Sequence, residues 1–213
     1  NCRYCFRRHF PYENNAFNTA HWDHIKNYLH QHQKVNEVIL SGGEPLLLKD
    51  SQVLNIFQRI SQVPSIKRIR IHTRLPIAIP QRVTDTFIAA VTSHDVKPII
   101  VVHCNHPQEI DHDVAHALKT LHQAGICVLN QTVLLKGVND HPQTLIELSE
   151  KLFDCHVMPY YLHALDKVQN TAHFDLPLSQ AQSIHNQLKA ALPGFLVPKL
   201  VKEDPHQLNK TWV

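Results

Sequence analysis

Short β-branched runs begin near Glu37, Lys67, Lys97, Ile126 and Cys155, at intervals of 30, 30, 29 and 29 residues. A strand that returns parallel to itself needs a crossover of about a dozen residues or more, and these intervals leave room for a helix in each. The stretches between the runs carry helical patterns. Trp22, Ile25 and Leu29 share one face. Val53, Ile56, Phe57 and Ile60 share another, behind Asp50 as the expected N-cap. Val114, Ala117, Leu118 and Leu121 form a third after Pro107. Repeated strand–helix units predict a parallel sheet, and right-handed crossovers curl it into a full or partial barrel. A further helix is expected over residues 179–192. The run over 195–201 breaks the period and reads as an added strand. The expectation is one α/β domain over residues 1–213, a partial parallel (β/α) barrel whose first strand precedes the chain as given.

Composition narrows the function. Of 213 residues, 43% are apolar and 18% charged, enough to bury a core and too ordered in pattern for a disordered chain. No apolar run approaches the ~18 residues of a membrane span. A net charge of +3, spread along the chain, with a pI near 8.6 argues against nucleic acid, for which a clustered patch and a pI above about 9 are expected. Five cysteines, an odd number in a chain this long, do not make a disulfide scaffold and point to a reducing, cytoplasmic setting. Cys127, within an apolar run, reads as a core residue.

In parallel α/β folds the ligand site lies beyond the carboxyl ends of the strands. Each run here ends in residues that bind or titrate: Ser41-Gly42-Gly43-Glu44, His72-Thr73-Arg74, His103-Cys104-Asn105-His106, Asn130-Gln131, His163 with Asp166, and Glu203 with Lys210. Two of only five glycines stand together at Gly42-Gly43, where backbone either meets a ligand or turns with positive φ. Cys2 and Cys5 form a C-x-x-C pair able to share a metal or cluster, or to act as a redox pair; alone it is a weak signal. His112 and His116 have ligand-capable i, i+4 spacing but sit in a polar helix and read as solvated.

Cys2-x-x-Cys5 followed by a strand and Gly42-Gly43-Glu44-Pro45 resembles the radical S-adenosylmethionine (SAM) superfamily. That family holds a [4Fe–4S] cluster with C-x-x-x-C-x-x-C and meets the SAM amino group at the Gly-Gly-Glu segment. Cys2 and Cys5 match the second and third cysteines; the first would lie four positions before Cys2. Further segments resemble the lysine 2,3-aminomutase family, in the shorter bacterial branch that serves elongation factor P. They include Cys5-Phe6-Arg7-Arg8-His9-Phe10, the segment from Leu75 to Thr84, His103 to Ile110, Asn130 to Asp140, Met158 to Leu162 and Asn209-Lys210-Thr211. The resemblance implies an isomerase that moves the α-amino group of lysine to the β-carbon with a 5′-deoxyadenosyl radical and pyridoxal phosphate (PLP). It implies Cys2 and Cys5 as cluster ligands and Gly42, Gly43, Glu44, Arg74, His103, Asn105 and Gln131 as SAM- or PLP-pocket residues. Lys210 would be the PLP anchor. Arg7 would hold the substrate carboxylate, and Asp166 and Glu203 its distal ammonium; free-lysine enzymes carry Asp where Glu203 stands. An electron donor such as a flavodoxin is implied as partner. The alternative is a zinc- or cluster-binding module, or a degenerate homologue without activity.

Overall fold

The computed structural model describes residues 2–5, 19–204, 206, 207 and 209–213. The helices are α1 (Thr19–Gln31), α2 (Asp50–Ser61), α3 (Leu75–Ala78), α4 (Asp85–Thr92), α5 (His112–Gln123), α6 (Pro142–Asp154) and α7 (Leu178–Ala191). The strands are β1 (Glu37–Leu40), β2 (Arg68–Thr73), β3 (Lys97–Val102), β4 (Cys127–Val133), β5 (Val157–His163), β6 (Lys199–Lys202) and β7 (Thr211–Trp212). They form one sheet in sequence order. The first six are parallel and β7 returns antiparallel on β6. With every crossover leading to the next strand, the sheet curls into a half-barrel of the expected kind.

Alternation along each strand divides two environments. Ile69, Ile71, Ile100, Val102, Val128, Val157, Leu162 and Leu200 point to the helices and join the core. There Phe57, Phe87, Leu118 and Leu121 are fully buried, each burial contributing about 1.5–3 kcal/mol. The alternate set faces the concave side: Arg70 opposite Ile99 and Cys127 in successive strands, and His72 opposite Val101, Leu129 and Met158. Thr84 caps α4 through the Phe87 N–H at 3.1 Å, and Asp111 caps α5 through the Val114 N–H at 2.9 Å.

Three local expectations change. Asp50 is the first helical residue rather than the N-cap, which is Lys49, and its carboxylate accepts from Thr86 at 2.5 Å and pairs with Arg82 at 2.7 Å. Cys127 is exposed, because it opens β4 on the concave face opposite Ile99 and not on the helix face. The run over 195–201 splits into a 3-10 turn, Gly194–Leu196, and then β6, since Pro198 cannot donate to a ladder. Beyond β6 the sheet gains β7, in register Val201↔Trp212 and Lys202↔Thr211.

Candidate active site

The Cys2–Cys5 segment is a turn closed by the Cys5 N–H on the Cys2 carbonyl at 3.2 Å, with both thiols free and half-buried. Arg74, one residue past β2, reaches it. Its Nη1 donates to Cys2 Sγ at 3.3 Å and to the Tyr4 hydroxyl at 2.8 Å, and its Nη2 to Glu109 Oε2 at 2.6 Å. The other Glu109 oxygen accepts from the Asn105 and His106 N–H groups at 2.7 and 3.0 Å. The Asn105 amide also donates to Tyr4 Oη. Burial pushes the Tyr4 phenol up to about 12, against the pull of Arg74. Here one guanidinium ties the C-x-x-C turn to the ends of β2 and β3.

The walls around this corner are stitched the same way. Glu44 Oε1 accepts from Thr73 Oγ1 at 2.5 Å and from the Leu46 N–H at 3.1 Å, while Oε2 accepts from the Arg74 N–H at 2.8 Å. Gly42 and Gly43 precede it at φ of 92° and 57°, a left-handed pair that other residues adopt only with strain. Asn105 Oδ1 accepts from the Val133 N–H at 2.9 Å. Asn139, fully buried, donates to the Asn105 and Val133 carbonyls at 2.8 and 2.9 Å and accepts from the Leu135 N–H at 2.8 Å. Asn130 satisfies both backbone groups of Cys104. The side chains of Glu44 and Asn105, expected to meet a ligand, are thus engaged with protein groups that shape the loops.

Further along the concave face stand His72 and His103, their rings edge-to-face with centroids 6.1 Å apart, and His163 at the end of β5. Burial lowers His103 to about 4, with Arg74 adding to the effect. Burial lowers His163 to about 3, and Lys210, His103 and His72 act on it in the same direction. Both imidazoles are neutral at pH 7. Among the described residues, Gln131 Nε2 and His163 Nε2 are buried with no hydrogen-bond partner.

The β6–β7 register, continued by one pair, sets Glu203 opposite Lys210, and the Lys210 ammonium donates to Glu203 Oε1. Its Nζ also lies 5.7 Å from the Tyr161 ring centroid. Burial, and then the 3.0 Å hydrogen bond between the Tyr160 and Tyr161 hydroxyls, push Tyr161 up to about 12. Asp166 is raised, first by burial and then by Glu203, with Lys210 opposing. Alternation carries the concave set from His72 to Arg74, which holds Cys2, and from Val201, the register partner of His163, to Glu203, which holds Lys210, so the thiol corner and the amine corner share one concave face. Arg7 lies outside the described residues. Tyr4, Glu109 and Asn139 were not singled out by the sequence reading; only Glu109 left a signal, as the third residue after the N-cap His106 in a capping-box arrangement.

The donors present fit three groups. Cys2 and Cys5 offer two thiol ligands in one turn to a metal cluster. The unpartnered Gln131 and His163 nitrogens at the ends of β4 and β5, and the positive-φ diglycine that follows β1, suit a polar nucleoside-type ligand. Lys210 is a partly exposed primary amine on the same face, able to take a carbonyl cofactor.

A family model described as "Radical SAM superfamily" matches residues 1–149. The chain is 46% identical to the L-lysine 2,3-aminomutase of Haemophilus influenzae over 211 residues, covering 99% of this chain and 62% of that protein. It is 44% identical to the L-lysine 2,3-aminomutase of Escherichia coli, covering 99% and 62%. The chain therefore spans less than two thirds of these relatives' length. Among solved structures it resembles Streptococcus suis SuiB, with a TM-score of 0.59 and 13% identity over 87% of this chain and 44% of that one. A radical SAM methyltransferase from Sphaerobacter thermophilus gives 0.53 and 18% over 83% and 54%. These two likenesses concern the fold alone.

Proposed function

Because the chain belongs to the radical SAM superfamily, we propose that it is the barrel of an L-lysine 2,3-aminomutase, an isomerase moving the α-amino group of L-lysine to the β-carbon. The observation that carries this reading is the pairing of Lys210 with Glu203, with Asp166 feeling the charge of both, on the face that also holds Cys2. An amine for a carbonyl cofactor and two carboxylates for a distal ammonium are what a diamino acid substrate requires. Identity of 44–46% to enzymes named L-lysine 2,3-aminomutase supports it.

On this reading Cys2 and Cys5 supply two thiolates to a [4Fe–4S] cluster, Gly42, Gly43, His103 and Gln131 line the SAM pocket, and Lys210, within the segment 194–213, anchors PLP. When bound, the cluster and SAM supply a carbon-centred radical that takes up a hydrogen atom, and PLP supplies delocalisation for the migrating nitrogen. The protein's part is to hold and seal. Asp166 and Glu203 receive the ε-ammonium; a cation arriving between them offsets the burial, and the Glu203 charge, that raise Asp166. Arg7 takes the carboxylate by a bidentate contact. His103 and His163, kept neutral, add no positive charge beside the ammonium. Val101 and Val201, buried on the concave side, exclude water beneath the reacting carbons. A flavodoxin-type electron donor, a role in elongation factor P modification and a cytoplasmic setting belong to the same proposal.

The test is anaerobic reconstitution with iron, sulfide and PLP. Wild-type enzyme carrying the motif cysteine four positions before Cys2 is expected to show lysine-bound PLP absorbance and to form β-lysine from L-lysine and SAM. Lys210→Ala should lose that absorbance. A band that persists in the variant refutes the anchor, and zinc uptake without iron or sulfide favours the binding-module alternative.

A further inference from the structure

We propose that Arg74 is a positioning residue for the cluster, tuning its reduction potential through the Nη1–H···Sγ contact to Cys2. The inference rests on the assignment of Cys2 as a cluster ligand. Three observations carry it. The Arg74 Nη1 lies 3.3 Å from Cys2 Sγ, within reach of an N–H···S hydrogen bond. The guanidinium cannot swing away freely, because Tyr4 Oη at 2.8 Å and Glu109 Oε2 at 2.6 Å fix its other donations. Glu109 is itself fixed by two backbone N–H groups, from Asn105 and His106. A fork with planar, directional donors is built into the loop rather than lying loose on a surface.

The chemistry follows from charge. One-electron reduction adds a negative charge to the cluster and its thiolates. A donated hydrogen bond and a fixed cation at a ligating sulfur stabilise that reduced form and raise the potential. Glu109 works against it, as a carboxylate that offsets part of the guanidinium charge. The pair therefore sets the potential from two sides: Arg74 upward, Glu109 downward. No electron or proton passes through either residue.

The experiment is a redox titration, followed by the EPR signal of the reduced cluster, on anaerobically reconstituted enzyme carrying the first cysteine of the cluster motif together with Cys2 and Cys5. Iron and sulfide are assayed alongside. Arg74→Gln is expected to disfavour reduction about tenfold, a shift of about 59 mV to more negative potential for one electron. Arg74→Lys, which keeps the charge and loses the fork, should shift less in the same direction. Glu109→Gln should shift to more positive potential. A residue that merely supports the fold would not give opposite signs at its two ends. Wild-type potential in both Arg74→Lys and Arg74→Gln overturns the inference. So does wild-type potential in Arg74→Lys when Arg74→Gln takes up no cluster, because arginine would then serve assembly alone. Wild-type protein that takes up no iron or sulfide overturns the cluster reading as well.

Discussion

The two ends of the concave face are built on different principles. At the Cys2 end nearly every polar group has a protein partner: Arg74, Tyr4, Glu109, Asn105, Glu44 and Asn139 close on one another in a connected network. At the Lys210 end the ammonium pairs with Glu203, Asp166 carries a raised carboxyl with no ion pair of its own among the described residues, and Gln131 and His163 keep buried nitrogens without a partner among the described residues. A saturated network resists change, since breaking one contact strands others. An unsaturated one has spare valence and spare charge to give to a ligand. The contrast separates scaffold from binding surface within a few strand ends.

The largest test of that contrast is Lys210→Ala. At the unsaturated end the amine is the group a ligand uses, so its loss should abolish PLP attachment and turnover while moving the melting temperature little. The pair it makes with Glu203 is partly exposed and worth at most about 1 kcal/mol to the fold. Loss of several degrees in melting temperature would make Lys210 a structural residue and erase the difference between the ends.

Asn139→Ala probes the opposite end. It strands the Asn105 and Val133 carbonyls and the Leu135 N–H, all engaged by one side chain that is 0% exposed. Each unsatisfied buried group costs about 1–3 kcal/mol. A net loss of about 3 kcal/mol should lower the melting temperature by roughly 6–12 °C in a chain of this size. Calorimetry checks it, and a change below about 2 °C would show that the network tolerates gaps.

Asp166→Asn comes next. A charge-assisted contact to the substrate ammonium contributes about 1.5–3 kcal/mol, so KM for lysine should rise roughly 10- to 100-fold. Stability should not fall, because burial and Glu203 already make the Asp166 carboxylate costly to ionise. Steady-state kinetics and a melting curve on the same variant decide it. Unchanged KM would remove Asp166 from the ammonium site.

How much of this was written in the sequence differs by element. The spacing of β1 to β5 and the faces of α1, α2 and α5 were legible, because period and burial are local properties. β7 was not: two residues with exposed Trp212 carry no alternation, and only the antiparallel return on β6 defines them. Cys127 was misplaced because one step of register moves a strand residue from the core face to the concave one. The candidate residues were identifiable as types at strand ends. Their division of labour was not, since whether Glu44 and Asn105 face a ligand or fasten a loop depends on partners about 30 residues away, such as Thr73, Arg74 and Val133.

The smallest effect concerns pH, and it again distinguishes the two ends. His103 and His163 are held to about 4 and about 3 because burial penalises the imidazolium. In the unfolded chain each takes a proton near 6.5. Below that pH the unfolded state binds more protons than the folded one, so acid favours unfolding. The stability each contributes is complete above about 6.5 and declines as pH falls toward its folded value, by at most about 1.4 kcal/mol per pH unit. Asp166 acts with the opposite sign, because its raised folded value makes protonation in acid favour the folded state. Melting temperatures from pH 7 to 4.5 should therefore fall less steeply in His103→Gln and His163→Gln than in wild type, and more steeply in Asp166→Asn. The Cys2-end variant Asn139→Ala should lower the whole curve without changing its slope, since it removes no titrating group. Parallel curves for all four variants would mean that the concave-face histidines titrate as exposed groups and that the buried, neutral character assigned to them is wrong.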